Sequence, residues 1–128
     1  MPIRLVRLGT ARHEDEGPRL GTVRRPPRGV PKTEFKSGNW YDVWFPVLAP
    51  SPETMKLGLS ATTDKEWAQF IRKFRAEMAA PEAQHCLNLL AEMSHSTNFS
   101  LGCYCENEAR CHRGQLREML LAKGAKVI

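Results

Sequence analysis

Apolar side chains in the middle of the chain recur at the spacing of an α-helix. They stand at i, i+3, i+4, i+7 and i+11 along one face: Trp67, Phe70, Ile71, Phe74 and Met78. This spacing predicts a helix from Asp64 to Met78 with that face in the core. Thr63 and Glu66 have the spacing of a capping box, which favours a helix start at this point.

Start and stop signals predict three further helices. Ser51 can cap a helix that begins at Pro52, and Pro81 suits the first position of another. Gly124 is a typical residue just beyond the end of a helix. The predicted helices cover residues 52–57, 81 to about 94, and roughly 113–123.

Short apolar and β-branched runs predict the strands, which cover residues 3–8, 20–24, 99–104 and 126–128. The last two flank the final helix, so they form a βαβ unit with parallel strands. We therefore expect an α/β fold, built as one three-layer domain over residues 1–128 with a small, largely parallel sheet. The length of 128 residues suits one domain with its own core.

Positive charge is concentrated near the start of the chain. Residues 1–36 contain nine Lys/Arg against four Asp/Glu, whereas residues 37–128 contain ten of each. A localised basic region is typical of proteins that meet phosphates, although ordinary solubility charge gives the same count. No apolar run is long enough to span a membrane, so we expect no membrane partner and a cytoplasmic location.

The segment from Arg24 to Lys32, here called the arginine loop, contains three arginines and three prolines. Proline fixes φ and prevents a helix, so the loop is expected to be stiff. A stiff loop presents Arg24, Arg25 and Arg28 to an anion at a lower entropy cost. The alternative is a surface linker with scattered arginines. The aromatic segment that follows, residues 35–49, is expected to be core or a lid packed on it.

Three of the four cysteines lie within nine residues at the end of the predicted strand 99–104. Three chemistries fit this stretch. The N-terminus of the last helix, with His112 and Arg113, can form an anion site. Cys111 at the same terminus is a candidate nucleophile and Cys105 a second catalytic candidate, and Cys103 or Cys105 could be the resolving thiol.

The third chemistry is metal binding by Cys103, Cys105, Cys111 and His112, which are ligand types that zinc accepts. The spacing argues against it, because adjacent Cys111 and His112 are expected to strain a shared tetrahedral site. We therefore predict no cofactor, with zinc as the alternative.

The arginine loop, Trp40, Ala49-Pro50-Ser51 and the stretch ending in Cys111-His112-Arg113 resemble domain-of-unknown-function family 488, which includes the YeaO-like bacterial proteins. The resemblance covers most of the chain and implies a compact cytoplasmic α/β domain. The family pattern joins an arginine loop to a cysteine, an acidic residue and Cys-His-Arg. The matching positions are Arg24, Pro27, Arg28, Cys103, Cys111, His112 and Arg113. Cys105 stands where the pattern has glutamate.

This shared pattern implies one pocket at the carboxyl edge of the sheet. We expect it to bind, or act on, a phosphate-bearing ligand such as a nucleotide or nucleic acid, because converging cations repel one another without an anion. The expected ligand-binding residues are Arg24, Arg25, Arg28, His112 and Arg113. The alternatives are a thiol enzyme or redox protein that uses Cys111 or Cys105, and a metal-binding or protein-interaction domain.

Overall fold

A computed structural model describes residues 2–128 and confirms the predicted α/β fold. Within these residues four parallel strands form one sheet in the order β1-β4-β2-β3. The strands are β1 (Ile3–Arg7), β2 (Arg19–Gly21), β3 (Val43–Trp44) and β4 (Phe99–Cys103). Since all strands run the same way, their carboxyl ends meet at one edge.

The described helices are α1 (Pro52–Ser60), α2 (Asp64–Met78), α3 (Pro81–Met93) and α4 (His112–Ala122). The prediction for α2 is confirmed at both ends, and α1 runs three residues beyond Leu57. The caps are also confirmed, since Ser51 accepts a hydrogen bond from the Thr54 N–H and Thr63 accepts one from Glu66. None of the helices in residues 2–128 combines the length and apolar character needed to cross a membrane.

The end of the chain returns to the sheet as predicted, but through a single bridge. Val127 pairs in parallel with Ile3, and the backbone of Ile3 bonds on either side to Lys126 and Ile128. The unit β4-α4-Val127 therefore passes over β1 and adds its last residue beyond it.

The main core lies between one face of the sheet and the helices. From the sheet it takes Ile3, Phe99 and Leu101, and from the helices chiefly Phe74, Leu87, Leu116 and Leu120. All of these side chains are buried. This core holds the N-terminus of α4 against the end of β4.

Loops rather than helices form the layer on the other face. The loop after β1 and the loop before β3 both lie directly on the strands. A Cβ at Gly102 would clash with Leu8 of the first loop, and a Cβ at Gly21 would clash with Tyr41 of the second. Beneath them Arg19 and Glu16 form a fully buried ion pair with a 2.5 Å contact. Burial would raise the pKa of Glu16, but hydrogen bonds from Arg19 and Ser100 hold it below its ordinary value of 4.5.

We expect Glu16→Gln to lower the free energy of unfolding by about 3–5 kcal/mol, because it leaves the Arg19 charge buried without its partner. The folded-state pKa of Glu16 is depressed, so its contribution is present above pH 4.5 and is lost as pH falls through the folded value. Denaturant unfolding between pH 3 and 7 should therefore show a flatter acid limb for the variant than for the native chain.

The matched control is Asp15→Ala, which removes the Arg4–Asp15 pair, whose aspartate is 66% exposed. This change should cost about 0–1 kcal/mol. Equal losses in the two variants would contradict the structural role assigned to the Glu16–Arg19 pair.

Candidate functional site

The candidate site lies where the carboxyl ends of β1, β2 and β4 meet the N-terminus of α4. The chain leaves β2 into the arginine loop and leaves β4 into the cysteine stretch. Parallel α/β sheets place their ligand sites at this edge. The two segments singled out from the sequence are therefore neighbours in the fold.

The cysteine cluster, defined as Cys103, Cys105, Cys111 and His112, occupies this edge. Sulfur and nitrogen atoms of Cys103, Cys111 and His112 all lie within 4.8 Å of one another, and all three residues are buried. The Cys105 Sγ lies 3.8 Å from the Cys103 Sγ. The three cysteines are free thiols, and Cys103, Cys111 and His112 form a donor set that can hold a metal ion.

Cys111 and His112 are adjacent in the chain, yet their donor atoms lie close together and close to Cys103. Cys111 is the N-cap of α4 with extended backbone (φ −141°, ψ 153°), and His112 is the first helical residue. The chain turns between them, which brings the Cys111 Sγ within 3.7 Å of the His112 Nδ1. The Cys111 Sγ also accepts a hydrogen bond from the Arg113 N–H, at 3.5 Å.

His112 is fixed in orientation by the end of β2. Its Nε2 lies 2.6 Å from the carbonyl oxygen of Thr22. A carbonyl can only accept, so Nε2 carries the proton and donates it. The Phe74 ring also packs against the imidazole in a T-shaped arrangement, with ring centroids 5.5 Å apart. Nδ1 consequently faces the thiols.

The three thiols differ sharply in acidity. Hydrogen bonds from Cys103 and Cys105 lower the pKa of Cys111 far below its ordinary value, so it is the most acidic thiol of the group. The hydrogen bond with Cys105 lowers the pKa of Cys103. The contact with Cys111 and burial outweigh it and raise that pKa to about 12. Contacts with Cys103 and Cys111 raise the pKa of Cys105. A buried thiol of lowered pKa that contacts two further thiols can act as a nucleophile or as a metal ligand.

A cavity of about 280 Å³ opens onto this cluster, and we call it the cysteine cavity. Its floor includes all four members of the cluster. Its walls are mostly apolar, with Met55, Leu59, Trp67 and Phe70, and Arg24, Arg25 and Arg110 add positive charge. The structure thus brings Arg24 and Arg25 together with the cysteine cluster.

A second cavity, of about 560 Å³, lies on the other side of the arginine loop, and we call it the basic groove. Arg7, Arg25 and Arg28 line it together with Trp40 and Tyr104. Arg28 therefore lies in the groove rather than in the cysteine cavity. Tyr104 and Arg25 line both cavities and form the wall between them.

Sequence reasoning missed Arg7 and Tyr104 as site residues. Each lies at the carboxyl end of a predicted strand, which is the signal that could have found them. The aromatic segment was expected to be core or a lid. Tyr41 is buried, whereas Trp40 is half-buried and lines the basic groove.

The arginines named from the sequence have different surroundings. Arg24 donates from its guanidinium to the carbonyl oxygens of Ala49 and Pro50, so it fixes the loop to the start of α1. Arg113 is only 3% exposed, lines neither cavity, and donates to the Cys105 carbonyl oxygen at 2.6 Å. Its geometry is that of a side chain that positions the cysteine stretch.

We expect Arg113→Ala to lower the free energy of unfolding by about 1.5–3 kcal/mol, because it removes a charged hydrogen-bond donor from the part-buried Cys105 carbonyl oxygen. Arg75→Ala is the control, since the Arg75–Glu118 pair is exposed and should be worth about 0–1 kcal/mol. Denaturant unfolding measures both. A native stability for Arg113→Ala would contradict the positioning role.

Comparison with known proteins places the chain in a family. Searches of curated proteins and of solved structures each found no match. The family model described as "Active DUF488-N3 subclade" matches residues 3–124, which include both cavities and the cysteine cluster. Because this match covers nearly the whole chain, the protein belongs to the DUF488 family.

Proposed function

We propose that the protein binds a phosphate-bearing ligand with an aromatic base, a nucleotide or a nucleotide unit of a nucleic acid, in the basic groove. The observation that carries this proposal is the placement of Arg25 and Arg28. Both side chains are exposed at the groove, and within residues 2–128 neither makes a hydrogen bond or an ion pair.

Charge and rigidity support an anionic ligand. Arg7 adds a third cation, whose contact with Glu106 is exposed and 3.5 Å long, and such pairs are weak. Pro26 and Pro27 stiffen the loop, and the Tyr104 hydroxyl donates to the Arg25 carbonyl oxygen at 2.8 Å. The guanidinium groups are therefore presented on an ordered backbone, which lowers the entropy cost of binding phosphate.

The aromatic rings support a ligand that carries a base. Trp40 and Tyr104 lie in the groove with ring centroids 6.1 Å apart, edge to face. Half-exposed aromatic rings beside arginines are the typical surface on which bases stack. The volume of about 560 Å³ is in the range of ligand sites for molecules of nucleotide size.

A second candidate function, a thiol enzyme or redox protein, is favoured by one observation. The Cys111 Sγ, whose pKa is lowered by its thiol neighbours, lies on the floor of the cysteine cavity. A ligand in the basic groove would lie next to that cavity, because Arg25 and Tyr104 line both. This function requires a Cys111 free of metal, so metal analysis decides whether it stands.

We expect Arg25→Ala and Arg28→Ala each to weaken binding of a labelled single-stranded oligonucleotide, measured by fluorescence anisotropy in low and moderate salt. Each variant should also reduce the slope of log K against log [salt] by roughly 0.7–1, since one phosphate contact is lost. Arg72→Ala, an exposed arginine on α2 outside both cavities, should leave affinity and slope unchanged.

Inorganic phosphate and a mononucleotide, used as competitors, separate the possible ligands. Competition by the mononucleotide but not by phosphate supports a site for a base with its phosphate. The proposal is overturned by absence of oligonucleotide and mononucleotide binding at both salt concentrations, or by an equal loss in Arg72→Ala.

We expect Tyr104→Ala to weaken oligonucleotide binding by roughly 5- to 150-fold, because stacking on one aromatic ring is worth about 1–3 kcal/mol. Tyr104→Phe keeps the ring and loses only the bond to the Arg25 carbonyl oxygen, so its loss should be clearly smaller. Equal losses in the two variants would count against stacking and leave only the role of the hydroxyl.

A further inference from the structure

We propose that Cys103, Cys105, Cys111 and His112 bind one Zn²⁺ ion in a tetrahedral site with three sulfur ligands and one nitrogen ligand. The site is separate from the basic groove, and the proposal does not depend on the nucleotide-binding proposal. It follows from the positions of the donor atoms, from their hydrogen-bond partners and from the charge beside them.

Two contacts within the cluster have the lengths expected between donor atoms of a tetrahedral zinc site. With Zn–S bonds of about 2.3 Å and Zn–N bonds of about 2.0–2.1 Å, two sulfurs stand about 3.8 Å apart and sulfur and nitrogen about 3.6 Å apart. The Cys103 and Cys105 sulfurs are 3.8 Å apart, and the Cys111 Sγ is 3.7 Å from the His112 Nδ1. Donor atoms of Cys103, Cys111 and His112 are mutually within 4.8 Å, and the Cys105 sulfur adjoins this group through its contact with Cys103.

The histidine is held in the state that a metal requires. Its Nε2 donates to the Thr22 carbonyl oxygen, so the lone pair of Nδ1 points toward the sulfurs. Metal-binding histidines commonly donate their second N–H to a carbonyl or carboxylate in this way, which fixes the ring. The Arg113 N–H likewise donates to the Cys111 Sγ, as backbone amides do to bound thiolates.

Charge balance also fits. Zinc with three thiolates carries one net negative charge, and the thiol protons are released as it binds. Arg113 supplies a buried positive charge next to the cluster, since its guanidinium bonds to the Cys105 carbonyl oxygen. The Arg113 Nε is buried and has no hydrogen-bond partner within the described residues. A bound, negatively charged centre would offset the cost of burying this cation.

The site would act as a structural staple. Cys103 ends β4 and Cys111 caps α4, so one ion would close the loop over residues 104–110 and fix the adjacent Tyr104. Cys105 is half-buried at the cavity floor and is the ligand that distinguishes a closed site from an open one. With four protein ligands, zinc has no vacant position for substrate.

The test measures metal content of the full chain purified without an affinity tag, followed by titration of the metal-free protein with Co²⁺ alone. We expect one zinc per chain, a thiolate-to-cobalt charge-transfer band, and the visible bands of a tetrahedral ion. Cys105→Ala should weaken Co²⁺ binding by more than the roughly 10- to 100-fold that loss of an outer hydrogen-bond partner costs. Cys86→Ala, which changes a thiol on α3 outside the cluster, should bind like the native chain.

Thermal unfolding keeps the proposal testable if a variant folds poorly. Chelation should lower the unfolding midpoint of the native chain and of Cys86→Ala, because zinc that binds only the folded state stabilises it. Native protein that neither contains zinc nor binds Co²⁺ overturns the proposal. A Cys105→Ala variant with native cobalt bands and affinity overturns the fourth ligand. Neither experiment involves a nucleotide, so both are independent of the groove.

Discussion

The buried ion pair between Glu16 and Arg19 is the interaction on which the loop-covered face of the sheet depends. The Arg19 guanidinium donates to the carbonyl oxygens of Thr10, Ala11 and Asn39, and Glu16 accepts from Ser100 on β4. The Arg19 side chain therefore connects the loop that contains Thr10 and Ala11 and the loop that contains Asn39 to the sheet. Removing only one of the two charged side chains is strongly destabilising, because it leaves the other charge buried without its partner.

This network also shapes the basic groove. Asn39, whose carbonyl oxygen accepts from Arg19, also accepts from the N–H of Gly9, and Trp40 packs directly on that glycine. The positive φ of Gly9 (+88°) and the lack of a Cβ permit this close approach. The aromatic wall of the groove is thus positioned by the same buried arginine that holds the loops, although Arg19 itself touches neither cavity.

The cysteine cluster depends on a different constraint, the start of α4. An extended N-cap followed by a helical residue turns the backbone sharply, so adjacent Cys111 and His112 direct their donor atoms to one point. The Thr22 carbonyl at the end of β2 then selects the imidazole nitrogen that faces the thiols. The basic groove and the cysteine cavity have only Arg25 and Tyr104 in common, and these two residues form the wall between them.

The sequence by itself determined the helices and the strands β1, β2 and β4, because these follow from local repeats of apolar residues and from capping residues beside them. It did not indicate β3, which lies in the aromatic segment that was expected to be core or a lid. The resemblance to the family pattern also implied that the arginine loop and the cysteine stretch form one pocket at the carboxyl edge of the sheet. Only the tertiary structure decided which arginines reach a cavity: Arg28 faces the groove, whereas Arg113 is buried under the cysteine stretch. It alone paired Glu16 with Arg19. The direction and burial of a side chain depend on long-range packing, which local spacing does not encode.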